Sequence, residues 1–329
     1  MDTAVTQLSN VLANRSEHDR RIAEKLRREL GPLVCDLLAD PLVVEVMLNP
    51  DGTLWVERQG AEMEEAGRMS ASQAESLMGT LAAIKRTEIT AENPTLQAAL
   101  PVDGSRFQGV LSPTAVGGPA FNLRKRATRI ITLDEYYESG IITLHQMEAI
   151  KGAVEDRQNI LVVGGTGTGK TTLTNAIIDY IAIATPNHRL LILEDTLELQ
   201  CAAKNVVFLH ATEHADMRAL VKTTLRMRPD RIIVGEVRDG AALSMLDAWN
   251  TGHPGGVATL HANSAALAFV RLEGLVGQAS LTPQNNLIGA AVDVIVFIEK
   301  DATHPAKRVV REVIRVSGFS DGQYITSNL

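Results

Sequence analysis

The chain has 329 residues, of which 45% are hydrophobic and 22% charged, with two cysteines and a formal net charge of −7. That profile suits a folded chain of about two domains and excludes a disordered protein, a disulfide framework or a four-thiolate metal site. Aromatic residues make up only 4% and neither half of the chain is basic, so direct nucleic-acid binding through a basic face or a stacking platform is not expected.

Residues 16–38 carry a helical pattern, with Ile22, Leu26, Glu29 and Leu33 in helical register. Arg20, Arg21, Lys25, Arg27 and Arg28 fall on the other faces, which reads as a solvated surface. Two strands follow at 43–49 and 53–58, joined by the turn Pro50-Asp51-Gly52, and Ser70 is placed to cap a helix ending near Lys85. Three short β segments are predicted within 96–125, interrupted by Pro101, Asp103-Gly104, Pro113 and Gly117-Gly118-Pro119. Residues 1–125 therefore read as a small α+β domain, and 126–143, which has little periodicity, as a linker. From 144 to 329 strand-like runs at 159–163, 189–193, 206–210, 231–235, 256–260 and 292–299 alternate with amphipathic stretches. That alternation predicts a mostly parallel sheet covered on both faces.

The segment GGTGTGKT (164–171) fits G-x-x-x-x-G-K-[ST], with an apolar strand before it and a helix after it. Glycines let successive backbone amides curl round an anion, a lysine reaches the terminal phosphates, and a hydroxyl ligates Mg²⁺. The predicted fold class is thus α/β: a C-terminal RecA-like P-loop NTPase domain preceded by a smaller α+β domain. Gly165, Thr166, Gly167, Thr168, Gly169, Lys170, Thr171 and Thr172 are the expected contacts of a nucleoside triphosphate. Acidic residues end two of the predicted strands: Glu194 and Asp195, with Glu198 shortly after, and Glu236. Parallel strands present their carboxyl ends to a ligand crevice. Gly235 stands where many P-loop enzymes carry an aspartate, so the Mg²⁺-side carboxylate is expected to be Glu236 or to come from the neighbouring strand. Glu194 and Glu236 then divide the ordering of metal-bound water and of attacking water, in an order the residues leave open. His261 ends another strand and is a candidate γ-phosphate sensor, whereas neither it nor His253 lies in a metal-ligand pattern. Arg226, Arg228, Arg231 and Arg238 crowd the Glu236 strand, and Arg106, Arg124 and Arg126 come from the first domain and linker. Phosphoryl transfer uses such additional cations.

Taken in order, GGTGTGKT, LILEDTLEL, LRMRPDRIIVGEVRD and TGHPGGVATLHANS resemble the Walker A, Asp box, Walker B and His box of the secretion-superfamily ATPases. These are ring hexamers serving type II and type IV secretion, conjugation and type IV pili. Upstream, DGSRFQGVLSP and FNLRKR resemble the N-terminal domain of the type IV secretion and conjugation branch. The tetracysteine zinc module usual in type II secretion has no counterpart, because Cys201 is the only cysteine of the C-terminal region. The resemblance implies ATP as substrate and Mg²⁺ bound by Thr171 and Glu236. It also implies Lys170 on the phosphates, Glu194 and Glu236 as catalytic carboxylates, and His261 as γ-phosphate sensor. Arg106 and Arg124 would reach the nucleotide from the N-terminal domain, with a hinge around 128–140. A homohexamer working with inner-membrane components of a secretion or conjugation system follows, cytoplasmic and peripheral at the inner membrane, since no stretch reaches the ~18 apolar residues of a span. The competing readings are a type IV pilus retraction or assembly motor and a nucleic-acid-stimulated motor of the same core. A GTP switch is disfavoured because no N-K-x-D segment is present.

Overall fold

The computed structural model describes residues 17–58, 60–126, 129–212 and 214–329. The chain divides into two compact units, Met1–Thr128 and Arg129–Leu329.

The first unit begins with helix α1 (Glu17–Ala39), which breaks at Gly31–Pro32, where Gly31 adopts φ 76° and ψ 165°. Ser16, the expected start of this helix, lies outside the described residues. Leu26, Leu30, Val34 and Leu37 point into the core. Glu29, on the same face, is buried, and its Oε1 accepts hydrogen bonds from Ser76 Oγ at 2.7 Å and Thr80 Oγ1 at 3.0 Å, which offsets part of the cost of placing a carboxylate there. Strands β1 (Val43–Leu48) and β2 (Thr53–Arg58) form the expected hairpin. In its turn, Asp51 Oδ1 accepts from the Thr53 amide and hydroxyl at 2.9 and 2.6 Å. Strand β3 (Glu64–Arg68) follows, then helix α2 (Ala71–Lys85), capped by Ser70, whose hydroxyl accepts from Gln73 N. Strands β4 (Thr95–Ala99), β5 (Arg106–Val110) and β6 (Ala120–Arg124) complete an antiparallel sheet in the order β3-β2-β1-β6-β5-β4. Strand β3 was not predicted. Its sequence, EEAGR, is polar and largely exposed at a sheet edge, so it has no buried face to leave an alternation.

The second unit contains helices α3 (Leu133–Glu138) and α4 (Leu144–Glu155). Thr132 and Thr143 cap them, each in a reciprocal capping box, with Glu135 and Gln146 respectively. The residues expected to form a linker, 126–143, are therefore structured from Arg129 onward. Leu133, Tyr136, Ile141 and Ile142 are buried in the same core as strands β7 (Ile160–Gly164) and β8 (Leu190–Glu194). Of residues 128–140, the expected hinge, Thr128 lies outside the described residues, Leu133 and Tyr136 are buried, and Tyr137–Gly140 are exposed.

Strand β7 leads into helix α5 (Lys170–Ala184), and β8 is followed by β9 (Val206–His210) and helix α6 (Met217–Thr224). Next come β10 (Arg231–Val234), helix α7 (Ala241–Asn250), β11 (Val257–His261), helices α8 (Ala265–Val276) and α9 (Asn285–Ala291), and β12 (Val294–Lys300). Two unpredicted strands, β13 (Arg308–Ser320) and β14 (Gln323–Asn328), close the chain. The sheet runs β14-β13-β12-β7-β11-β10-β8-β9, parallel from β12 to β9 and antiparallel at β13 and β14. Buried clusters lie on both of its faces, which is why β7 and β8 read as unbroken apolar runs.

Candidate active site

The carboxyl ends of β7, β8, β10 and β11 meet at one edge of this sheet. Each of the four carries a residue singled out by the sequence at or just past the terminus: Gly165, Glu194, Glu236 and His261. After β7 the chain forms a tight loop, with Gly167 at φ 70° and Gly169 at φ 100°. Gly169 is the N-cap of α5 and supplies no side-chain acceptor, so the first amides of that helix are left for an external anion. Thr168 is buried and its hydroxyl donates to Gly165 O at 3.0 Å. Lys170, also buried, donates from Nζ to Gly165 O at 2.9 Å. The loop is preorganised: a Cβ at Gly164 would stand 2.3 Å from Ile298 O, so no larger residue fits there.

Lys170 Nζ lies 3.4 Å from the ring nitrogens of His261, and His261 Nε2 lies 3.2 Å from Glu236 Oε1. Glu236 Oε2 accepts from Arg238 Nη2 at 2.6 Å, and Arg238 Nη1 donates to Asp195 Oδ2 at 2.6 Å. Burial raises the Glu236 carboxyl, but the Arg238 hydrogen bond and charge, with His261 and Lys170 behind them, outweigh it and hold the group below its ordinary value. Burial, then the Lys170 charge, push His261 down, against the pull of Glu236. The site thus holds an ionised carboxylate and a neutral imidazole around an ammonium.

Glu194, an expected catalytic carboxylate, is turned inward at the end of β8. It is only 2% exposed, and its Oε1 accepts from the backbone amides of Glu198 and Leu199 at 2.8 and 2.7 Å. That fixes the turn after β8 and delivers Glu198, whose Oε2 accepts from Thr171 Oγ1 at 3.2 Å. Glu198 is thus the carboxylate beside the P-loop hydroxyl. Its only sequence signal is its place four residues past a strand-end acid. The missing aspartate is explained by the same residue: a Cβ at Gly235 would stand 2.9 Å from Glu194 Cγ. The buried carboxylate occupies the volume an aspartate would need.

Of the four arginines expected around the Glu236 strand, Arg238 bonds Glu236, and Arg231 sits at the opposite end of β10. It is fully buried and donates to His188 Nδ1, Gly255 O and Val154 O at 3.2, 3.1 and 2.8 Å. Its role is structural. His253 precedes β11 and so lies at the strand end away from His261. In the first unit, Arg106 and Arg124 face each other across β5 and β6, and Arg124 Nε lies 3.5 Å from Glu45 Oε1.

The family described as Type II/IV secretion system protein matches residues 28–318. The chain belongs to this family. A probable conjugal transfer protein TrbB of Sinorhizobium fredii is 50% identical over 304 residues, 92% of each chain. Protein VirB11 of Agrobacterium fabrum is 31% identical, covering 83% of this chain and 89% of that one. Among solved structures, the Legionella pneumophila ATPase DotB superposes with a TM-score of 0.61 at 19% identity, covering 87% of this chain and 80% of that one. The pilus retraction motor PilT with bound ADP gives 0.58 at 19% identity, covering 80% and 76%. Those two likenesses are of fold. As a member of the type II/IV secretion family beside TrbB and VirB11, the chain is an ATPase of the type IV secretion and conjugal-transfer group. Among the described residues no helix is long and apolar enough to cross a membrane.

Proposed function

We propose that this ATPase works as a Mg²⁺-dependent ring hexamer that energises conjugative transfer, docked on inner-membrane components of its secretion apparatus. The observation that supports it most is the convergence on the P-loop edge of the sheet of Lys170, 3.4 Å from the His261 ring, and Glu236, 3.2 Å from the same ring. In this reading the amides of 165–172 and the Lys170 ammonium hold the phosphates, and Thr171 ligates the metal. The glycine cradle and the oxygen donors Thr171 and Glu198 fit a phosphate-bound Mg²⁺, a hard cation that takes few protein ligands and keeps its waters. When bound, the metal neutralises developing charge on the phosphates.

Glu198 sits nearest the metal ligand Thr171, and Glu236 stays with His261 on the γ-phosphate side. Glu236, kept ionised, orients the attacking water. Neutral His261 reads the γ-phosphate and is freed when that phosphate leaves. Glu194 is a positioning residue for Glu198. Arg106 and Arg124 are the candidate further cations of the first unit, and exchange of ATP for ADP shifts the protein between conformational states.

The test is phosphate release by the purified chain with and without Mg²⁺, alongside its solution mass with and without ATP. Mg²⁺-dependent turnover by a six-subunit species is the expected result. Turnover by a monomer, or none in Mg²⁺, overturns the reading. Strong, salt-sensitive stimulation by DNA would move the protein to the nucleic-acid motors.

A further inference from the structure

Strand β12 is the parallel neighbour of β7, with Phe297 paired to Val163. It runs on past the end of β7 along the phosphate loop, and β13 returns antiparallel to it. The last pair of that ladder is Lys300 opposite Arg308. Both side chains come to the loop. The Lys300 Nζ stands 3.1 Å from where a Cβ on Gly167 would be, and the Arg308 Nη1 stands 2.6 Å from where a Cβ on Gly169 would be. Two like charges directly opposite on one face of an antiparallel pair repel, and sheets avoid this unless something neutralises them.

Among the described residues no acid of the chain pairs with them. The acids flanking Lys300, Glu299 and Asp301, are engaged by Arg311. Among the described residues neither Lys300 nor Arg308 forms an ion pair. Arg308 lies close enough to Tyr136 for its charge to oppose the upward push that burial gives that hydroxyl. The two cations therefore flank the anion cradle on the side away from His261 and Glu236, where β11 rather than β12 forms the wall.

We infer that Lys300 and Arg308 form a second cationic clamp on the polyphosphate of the bound nucleotide, supplied in cis by the β12–β13 ladder. The proposal rests on the P-loop reading above and adds residues to it. It makes the ladder pair favourable only when an anion lies between the charges. Arg308, with a planar fork of donors, is placed for paired hydrogen bonds to phosphate oxygens, and Lys300 adds a point charge.

The experiment compares binding of fluorescent ADP and ATP analogues, and unliganded melting temperature, for the full chain and its Lys300→Gln, Arg308→Gln, Arg308→Lys and Lys170→Ala variants. Arg308→Gln is expected to weaken ADP and ATP binding by about tenfold and Lys300→Gln by less, the scale of one charge-assisted hydrogen bond. Arg308→Lys should recover part of that loss. Unliganded melting should be unchanged or slightly raised, because a repulsion is relieved. Wild-type affinity in both glutamine variants, with Lys170→Ala impaired, overturns the clamp and leaves the P-loop reading standing. Unchanged affinity in all four, Lys170→Ala included, overturns the P-loop reading and the clamp together.

Discussion

His261 Nε2 stands 3.2 Å from Glu236 Oε1 while Lys170 Nζ stands 3.4 Å from the same ring. The imidazole thus sits between a carboxylate and an ammonium, and burial together with the ammonium keeps it neutral. In the unfolded chain this histidine has its ordinary value and takes up a proton first. Its contribution to stability is therefore full above about pH 6.5 and shrinks as pH falls below it. Because His261 is held below its ordinary value, turnover should hold from pH 8 through about 6.5 and fall only at lower pH, as the ring gains its proton. A His261→Gln variant should turn over more slowly and lose that acid limb, measured as kcat between pH 5.5 and 8 (about the range in which a histidine titrates).

Lys170 is buried and its ammonium reaches Gly165 O and His261. Lys170→Ala should lower kcat by at least about 10²-fold, the scale of losing one preorganised electrostatic contact in a phosphoryl-transfer site. Circular dichroism should show the fold retained, since the methylene stem adds little to the core.

Glu194 and Glu198 should separate cleanly. Glu194→Ala leaves the amides of Glu198 and Leu199 without their acceptor, at a cost of about 3 kcal/mol. Its melting temperature and its turnover should fall together. Glu198→Gln keeps the turn and removes only charge, so turnover should fall by about 10²-fold with melting nearly unchanged.

Gly235→Asp restores the residue common in other P-loop enzymes, and here it should damage the protein. The new side chain would meet Glu194 Cγ and bring a second carboxylate against a buried one. Overpacking alone costs about 1–3 kcal/mol, read by urea denaturation, and Mg²⁺ dependence should not improve.

Tyr136 is a further test, because it and Leu133 anchor helix α3 in the core. Tyr136→Ala should destabilise the second unit by about 3–5 kcal/mol, as for other large-to-small changes of buried aromatics. A hinge residue would show little change in the same denaturation curve.

The P-loop, the strand-end acids and the parallel core were legible because their requirements are local. An anion cradle needs glycine at fixed spacing, and a strand buried on both faces is apolar throughout. The arms of the first-unit hairpin were legible for the same reason, through the Pro50-Asp51-Gly52 turn. What escaped depends on contacts distant in sequence. Nothing in LILEDTLEL distinguishes an acid turned inward to tie down its own turn from one facing the crevice, so the place of Glu198 beside Thr171 is not legible there. Helix α3 is too short for a 3.6-residue period to declare itself. Strand β13 shifts register at two places, between Phe297 and Ile298 of its partner β12 and between Val316 and Gly318, which breaks the alternation that would reveal it.

Arg231 has a consequence for how the molecule senses acidity. At the floor of the sheet its guanidinium is answered by carbonyl dipoles and the His188 ring. Burial draws its pKa down only to about 10, so it stays charged through the whole range a cell experiences. The same burial and the Arg231 charge push His188 down, so the floor is silent near neutrality. Of the two histidines that burial depresses, His261 is the one at the crest beside an acid, and the acid limb of turnover is expected to report on it.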